Sequence, residues 1–315
     1  MTHLKSLSEK EGDRIVFLPF ADIHGYQPEP LLPFGTPFLA YDMFSDANSN
    51  LIHPTLSLAV ITAAGLSLES LNDPKVAKTV ADKLGARYAV YGSVQKSSQT
   101  QVRVIINILD AQKNTVLSPP VEFAADLNDA FFDLMRTNLA KAAKQAGARL
   151  KLTPYKDPSL LSFRYYVRGL ELSQSYNRTN LDVAVLWFEK ALKENYHHYD
   201  DAALNMARAH FMMALLEKLA KSDFTQNMIL GRKTLAYVKN NKATQKLSLT
   251  TRFLESQAAF LSAITALKNG KIPLAQKEAA HALTLTPEDG MAEQAYWNSG
   301  AGEKGKFARN QPVCF

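Results

Sequence analysis

The sequence predicts an α+β N-terminal domain of order β-α-β-α-β-β-β-α, followed by an all-α half built from helical hairpin repeats. Three observations carry this. Up to about Pro120, short runs rich in β-branched residues alternate with single helical stretches; from about Leu127 onward the apolar residues recur at helical spacing almost throughout. At 315 residues the chain is long enough for two domains. With 46% hydrophobic and 21% charged residues it falls in the ordinary globular range, so a sizeable core is expected and wholesale disorder is not.

Residues 14–20 (RIVFLPF) form a near-continuous apolar run of the kind a buried strand carries. Pro19 belongs at its end, because proline has no N–H to give a ladder. A loop rich in proline and glycine follows over 24–37, then a helix over 37–44 and a second apolar run, read as a strand, over 56–62. Asn72-Asp73-Pro74 opens the next helix with a cap residue and a first-turn proline, and Gly85 closes it after Lys83. Residues 88–95, 102–109 and 115–123 are β-rich runs joined by short polar turns, which predicts an antiparallel meander. Asp126 is then placed as the cap of a helix running to about Gly147.

The α+β domain is assigned to 12–150, a linker marked by Pro154 and Pro158 to 151–159, and the helical repeat domain to 160–298. The tail, 299–315, is rich in glycine and charge and is expected to fray. In the last hairpin Ala263, Ala275, Ala279, Ala282 and Pro287 stand 12, 4, 3 and 5 residues apart. Those are the small-residue and proline positions of a 34-residue tetratricopeptide repeat, where two helices cross and the second must stop. An earlier hairpin keeps the 4-and-3 spacing in Ala184, Phe188 and Ala191, but Gly169 precedes Ala184 by 15 residues, which implies a longer turn around 173–179. The middle pair, 200–216 and 224–238, carries the weakest signature. Three repeats are near the minimum for a stable stack, so the first hairpin is expected to pack on the α+β domain.

The runs RIVFLPF at 14–20, ADKLGARYAVYGSVQ at 81–95 and VRVIINILDAQKNTV at 102–116 resemble the TolB amino-terminal-like domain. Leu84, Gly85, Ala86, Gly92, Ser93, Asp110 and Ala111 stand at the matching places, and the similarity reaches from about Arg14 to Leu192. Two departures stand out: a longer, proline-rich loop over 24–36, and Lys113-Asn114 where the pattern has Thr-Gly. That domain is often followed by tetratricopeptide repeats, and a segment like 165–192 (YYVRGLELSQSYNRTNLDVAVLWFEKAL) opens the helical part. The resemblance implies a bacterial, non-catalytic module, often extracytoplasmic, that binds proteins.

Motifs for catalysis are absent from the sequence. No glycine-rich phosphate loop sits at a strand–helix junction, so Gly85 and Gly92 read as a helix cap and a strand glycine. There is no nucleophile elbow, and Cys314, the only cysteine, can neither form an internal disulfide nor build a cysteine zinc site. His197, His198, Asp200, Asp201 and His210 are the densest group of potential metal ligands, but adjacent histidines point apart and Asp200 reads as a helix cap. Glu288 and Asp289 follow Pro287 and read as caps of a following helix. Arg136, Lys141, Lys144, Arg149, Lys151 and Lys156 occur without an intervening acid, either a patch for an acidic partner or a solvated face with cations at a helix C-terminus. The aromatic interleaving that nucleic-acid stacking needs is missing there, and no nucleic-acid partner is expected.

The expected site is instead a partner-binding groove. Arg164, Arg168 and Arg208 fall on the first helices of their hairpins, which line the concave surface in this repeat class, and Arg164 and Arg168 share a face. Such arginines hold carboxylates through charge-assisted bonds. Asn205 and Phe211 are placed beside Arg208 as a polar contact and an apolar wall. The expected function is a non-catalytic scaffold binding a protein or acidic peptide, without cofactor or metal. The alternatives are a regulatory or sensory region that binds a small ligand and signals to an output domain, and an enzyme whose pocket gathers titratable groups invisible in sequence. A net charge of +6 adds weak attraction to acidic surfaces. The compartment is periplasmic if Met1 stands in place of a removed signal or anchor and cytoplasmic otherwise; no 18-residue apolar span occurs.

Overall fold

The computed structural model describes residues 14–23, 31–44, 50–117, 119–145, 152, 157–175, 177–195, 199–241 and 249–285. The chain divides into two compact units, Met1–Asn205 and Met206–Phe315. The first helical hairpin therefore belongs with the α+β domain, and most of the expected linker over 151–159 lies outside the described residues.

The first unit holds one mixed sheet of β1 (Ile15–Phe17), β2 (Ala21–Asp22), β3 (Leu51–Ile52), β4 (Tyr88–Lys96), β5 (Gln101–Asp110), β6 (Thr115–Val116) and β7 (Val121–Asp126). β1 lies between β3 and β4, parallel to both, and β2 resumes the parallel pairing farther along β4. The run 14–20 is thus one strand line interrupted at Leu18-Pro19-Phe20, where proline cannot donate. β4 and β5 pair antiparallel from Tyr88 opposite Asp110 to Lys96 opposite Val102. β6 and β7 pair with opposite ends of β5, so the expected third run is two strands, with Pro119 and Pro120 between them.

Two expected elements are corrected. Residues 56–62 are not a strand but part of a helix, α2 (Pro54–Ala63), after α1 (Leu31–Phe44). Its buried residues, Pro54, Thr55, Ser57, Leu58 and Ile61, fall on one helical stripe that a continuous apolar run conceals. Pro54 occupies the first helical position, and the His53 imidazole Nδ1 accepts from the Thr55 N–H at 3.2 Å. The second correction is Asp126. It ends β7 opposite Gln101, and α4 (Ala130–Gln145) starts later, with Asn128 Oδ1 accepting from the Ala130 N–H.

α1 also begins earlier than the 37–44 expected, with Pro37 inside it. Proline there leaves the Pro33 carbonyl without its helical donor, and the Phe20 N–H supplies the bond at 3.0 Å. α3 (Pro74–Leu84) matches expectation: Asp73 accepts from the Lys75 N–H, and Gly85 is left-handed at φ 63°. After β5, buried Asp110 accepts from the Lys113 N–H and pairs with Arg87, while Asn114 holds φ 53°. Asparagine tolerates the left-handed conformation better than other side chains do, which suits it to this turn.

One sheet face packs Val16, Leu18, Ala89 and Tyr91 against Ile61 of α2 and Ala77, Val80 and Ala81 of α3. On alternate residues Phe17 meets Phe44 of α1, ring centroids 6.1 Å apart. The first hairpin is α5 (Leu160–Ser173) with α6 (Arg178–Glu194). It packs on the α+β domain as expected: a Cβ at Gly35 of α1 would lie 2.5 Å from Val167, Phe132 meets Phe163 edge-on at 5.4 Å, and Asp129 accepts from the Leu160 N–H.

α7 (Asp200–Leu219) crosses the division between the units. The second unit adds α8 (Thr225–Asn241), α9 (Leu249–Lys268) and α10 (Ile272–Leu285). α9 closes on Gly270 at φ 69°, with the Lys271 N–H reaching back to the Ala266 carbonyl. α7 closes the same way, but its left-handed residue is Lys221 at φ 58°. Lys221→Gly is therefore expected to stabilise the chain by about 0.5–1 kcal/mol, read as a higher urea midpoint. An unchanged or lower midpoint would contradict this account of the turn.

Each hairpin crosses through a small residue. In the first, a Cβ on Gly169 would lie 2.5 Å from the Phe188 ring. The second reverses the order, with Phe211 on the leading helix against Gly231 on the following one. The third sets Ala263 against Ala279, both fully buried. The first and third also share a buried bond: Ser162 donates to the Ala191 carbonyl, and Ser256 to that of Ala282.

Candidate functional site

Leu161, Tyr165 and Arg168 lie on one stripe of α5, and Val183, Trp187 and Lys190 on one stripe of α6. The Tyr165 and Trp187 rings meet at 5.6 Å, which sets the stripes side by side. Lys190 Nζ stands 4.2 Å above the Trp187 ring, a cation–π contact that fixes both groups at the surface. Leu161 is 43% exposed and Leu186, next to Trp187, 56%. The result is an exposed apolar surface with a cation at either end; Arg168 also pairs with Glu171 of its own helix. Contiguous exposed apolar surface with a polar rim is what interaction sites present.

The expected groove residues fall in both units. Arg164 and Arg168 are on α5, half-exposed and exposed, within the first unit. Arg208 is half-buried in the second. Asn205 and Phe211, expected as a polar contact and an apolar wall, are both buried. Asn205 is buried in the first unit and gives its amide hydrogens to the Tyr166 hydroxyl at 3.2 Å and the Asp201 carbonyl at 3.0 Å. Phe211 is 2% exposed in the second unit, where Gly231 makes room for its ring.

Tyr166 is the centre of a buried polar chain. Burial, and then the nearby Asp42 carboxylate, push its phenol well above the ordinary range, so it stays protonated. It accepts from Asn205 and is hydrogen-bonded to Asp42 of α1. This ties the first turns of α7 through α5 to the α+β domain. In the second unit, buried His210 Nδ1 lies 3.1 Å from Asn227 Oδ1, and Asn227 Nδ2 donates to Glu217 at 2.8 Å. With the amide oxygen accepting, Nδ1 carries the proton.

Among the described residues, no group of three or more His, Cys, Asp or Glu is placed to hold a metal ion. His197, His198, Cys314, Pro287, Glu288 and Asp289 lie outside them. Of the basic stretch, Arg136 bridges Asp133 and Asp157, and burial raises the Asp157 carboxyl above its usual range despite that cation. Lys141 and Lys144 are exposed, and Arg149, Lys151 and Lys156 lie outside the described residues. No helix among the described residues is long and apolar enough to cross a membrane.

No family model and no curated protein matches the chain. Among solved structures, the LpoB C-terminal domain from Salmonella enterica is similar at 16% identity and a TM-score of 0.29, over 39% of this chain and 92% of that one. At that distance the likeness bears on neither partner nor function.

Proposed function

We propose that the chain is a non-catalytic scaffold that binds a protein partner through its helical hairpins. In this reading the hairpins are of tetratricopeptide type and the α+β domain is of the TolB amino-terminal-like type, serving to dock or anchor the first hairpin. The observation that carries it is the apolar surface of Leu161, Tyr165, Val183, Leu186 and Trp187, with Arg168 and Lys190 beside it. A partner offering apolar side chains flanked by carboxylates complements that surface in shape and charge. The repeat type is supported by the buried Ala263, Ala275, Ala279 and Ala282 and by the serine-to-carbonyl bond common to the first and third hairpins.

The test is an affinity pull-down from the native host with wild type and with Leu186→Asp/Lys190→Glu, two exposed positions whose replacement leaves the core untouched. Wild type is expected to retain a specific protein that the variant loses by about tenfold or more, with identical circular dichroism. Equal recovery by both removes this surface from the binding site. No specific protein on wild type overturns the scaffold reading.

A further inference from the structure

In the second unit, Met212, Leu215 and Lys218 follow one another at three-residue steps along α7, and Gln257, Phe260 and Leu261 share a face of α9. Between the rows is a hollow of about 20 Å³ with Phe211 also in its wall, room for about one methyl-sized group. Met212, Leu215 and Phe260 are half-exposed, so the hollow opens from a surface.

Two polar groups there need a partner of a particular kind. Gln257 Oε1 is shut off from solvent and accepts from no described residue. Lys218 Nζ stands 5.5 Å from the centroid of the Phe260 ring, and no carboxylate pairs with it among the described residues. Partial burial lowers its pKa, because the ammonium loses some of its water there. A buried amide oxygen needs an N–H, a shallow apolar hollow needs a small side chain, and a desolvated ammonium needs an anion. A simple anion meets only the last need and a lipid tail only the second. A peptide meets all three within a few residues, because its backbone N–H groups and alternate side chains recur at short, regular intervals.

We propose that α7 and α9 hold an extended acidic peptide, with a backbone N–H on Gln257 Oε1 once that side chain turns toward the hollow, an alanine-sized side chain in the hollow, and a neighbouring carboxylate on Lys218. The proposal rests on the protein-interaction reading above and names a subsite and a partner chemistry for it. The chain's net charge of +6 favours the approach of such a segment.

The test uses the full chain and the fluorescein-labelled peptide GSDADVDGS, followed by fluorescence anisotropy at low salt. Its controls are GSNANVNGS, which lacks the carboxylates, and GSDGDGDGS, which lacks the apolar side chains. Wild type is expected to bind the first peptide and to bind each control about tenfold more weakly or worse. Lys218→Gln is expected to lose about the same factor and Lys218→Arg to restore most of it. The ¹³C-methyl resonance of Met212, assigned with Met212→Leu, is expected to shift on titration. Equal binding of the neutral peptide, undiminished binding by Lys218→Gln, or an unmoved Met212 resonance overturns the subsite. A wild type that ignores all three peptides while the pull-down still yields its partner sinks this subsite alone; failure of both overturns the subsite and the scaffold reading together.

Discussion

Replacing Gly92 with alanine is expected to unfold the first unit under conditions where the wild type is intact. Gly92 faces Ile106 across the β4–β5 ladder, and an added Cβ would fall inside the van der Waals envelope of the Ile105 carbonyl oxygen and 3.2 Å from the Phe20 ring. β4 is held by β1 and β2 on one side and β5 on the other, so it cannot shift without losing pairing. Overpacking against movable side chains costs about 1–3 kcal/mol, and here the obstacle is backbone, so a loss above about 3 kcal/mol is expected. That is a large share of the roughly 5–15 kcal/mol that holds a domain folded. Thermal unfolding followed by circular dichroism measures it. A Gly92→Ala chain melting within roughly 2 °C of wild type would show that the strands are not this close.

The second large effect concerns the crossing of α5 and α6. Phe188→Ala removes a fully buried ring and is expected to cost about 3–5 kcal/mol. Gly169→Ala pushes a methyl toward that ring and is expected to cost about 1–3 kcal/mol. In the double variant the methyl enters space the ring has left, so the costs are expected to fall short of their sum by about 1 kcal/mol or more. Urea unfolding of the four chains completes the cycle, and strict additivity would mean that the two positions do not share a volume.

Much of the fold was legible because local chemistry decides it. Asp73-Pro74, Gly85, the meander from Tyr88 to Asp110 and the small residues of the last hairpin all point the same way at every level. The failures have a common origin in partners distant along the chain. Residues 56–62 are apolar on nearly every position, so helical and strand periods cannot be told apart until His53 and Pro54 are seen to start a helix. Asp126 is a good cap residue, but its pairing with Gln101 keeps it in the sheet. The middle hairpin looked degenerate because Phe211 stands on the leading helix and Gly231 on the following one, the reverse of the first hairpin.

The candidate site was less legible, for a related reason. Arg164 and Arg168 were found from their shared face, whereas Asn205 and Phe211 read as groove residues and are buried. The apolar surface of the first hairpin carries a visible signal, the stripes Leu161-Tyr165-Arg168 and Val183-Trp187-Lys190. Sequence alone does not say which apolar stripe of a helix is covered, and only the crossing at Gly169 and Phe188 turns these two outward.

The opposed order of the first two crossings bears on how such a chain assembles. Consecutive hairpins of similar length offer each new helix more than one neighbour of the right polarity while the chain is being made, and mispaired helices are a characteristic failure of tandem architectures. Were α5 to close on α8, Gly169 would face Gly231 and leave a hole where a ring belongs. Were α7 to close on α6, Phe211 and Phe188 would compete for one space. Among partners of the right polarity, only the helix next along the chain completes each of these two crossings, so polarity and volume together tell each helix its proper mate.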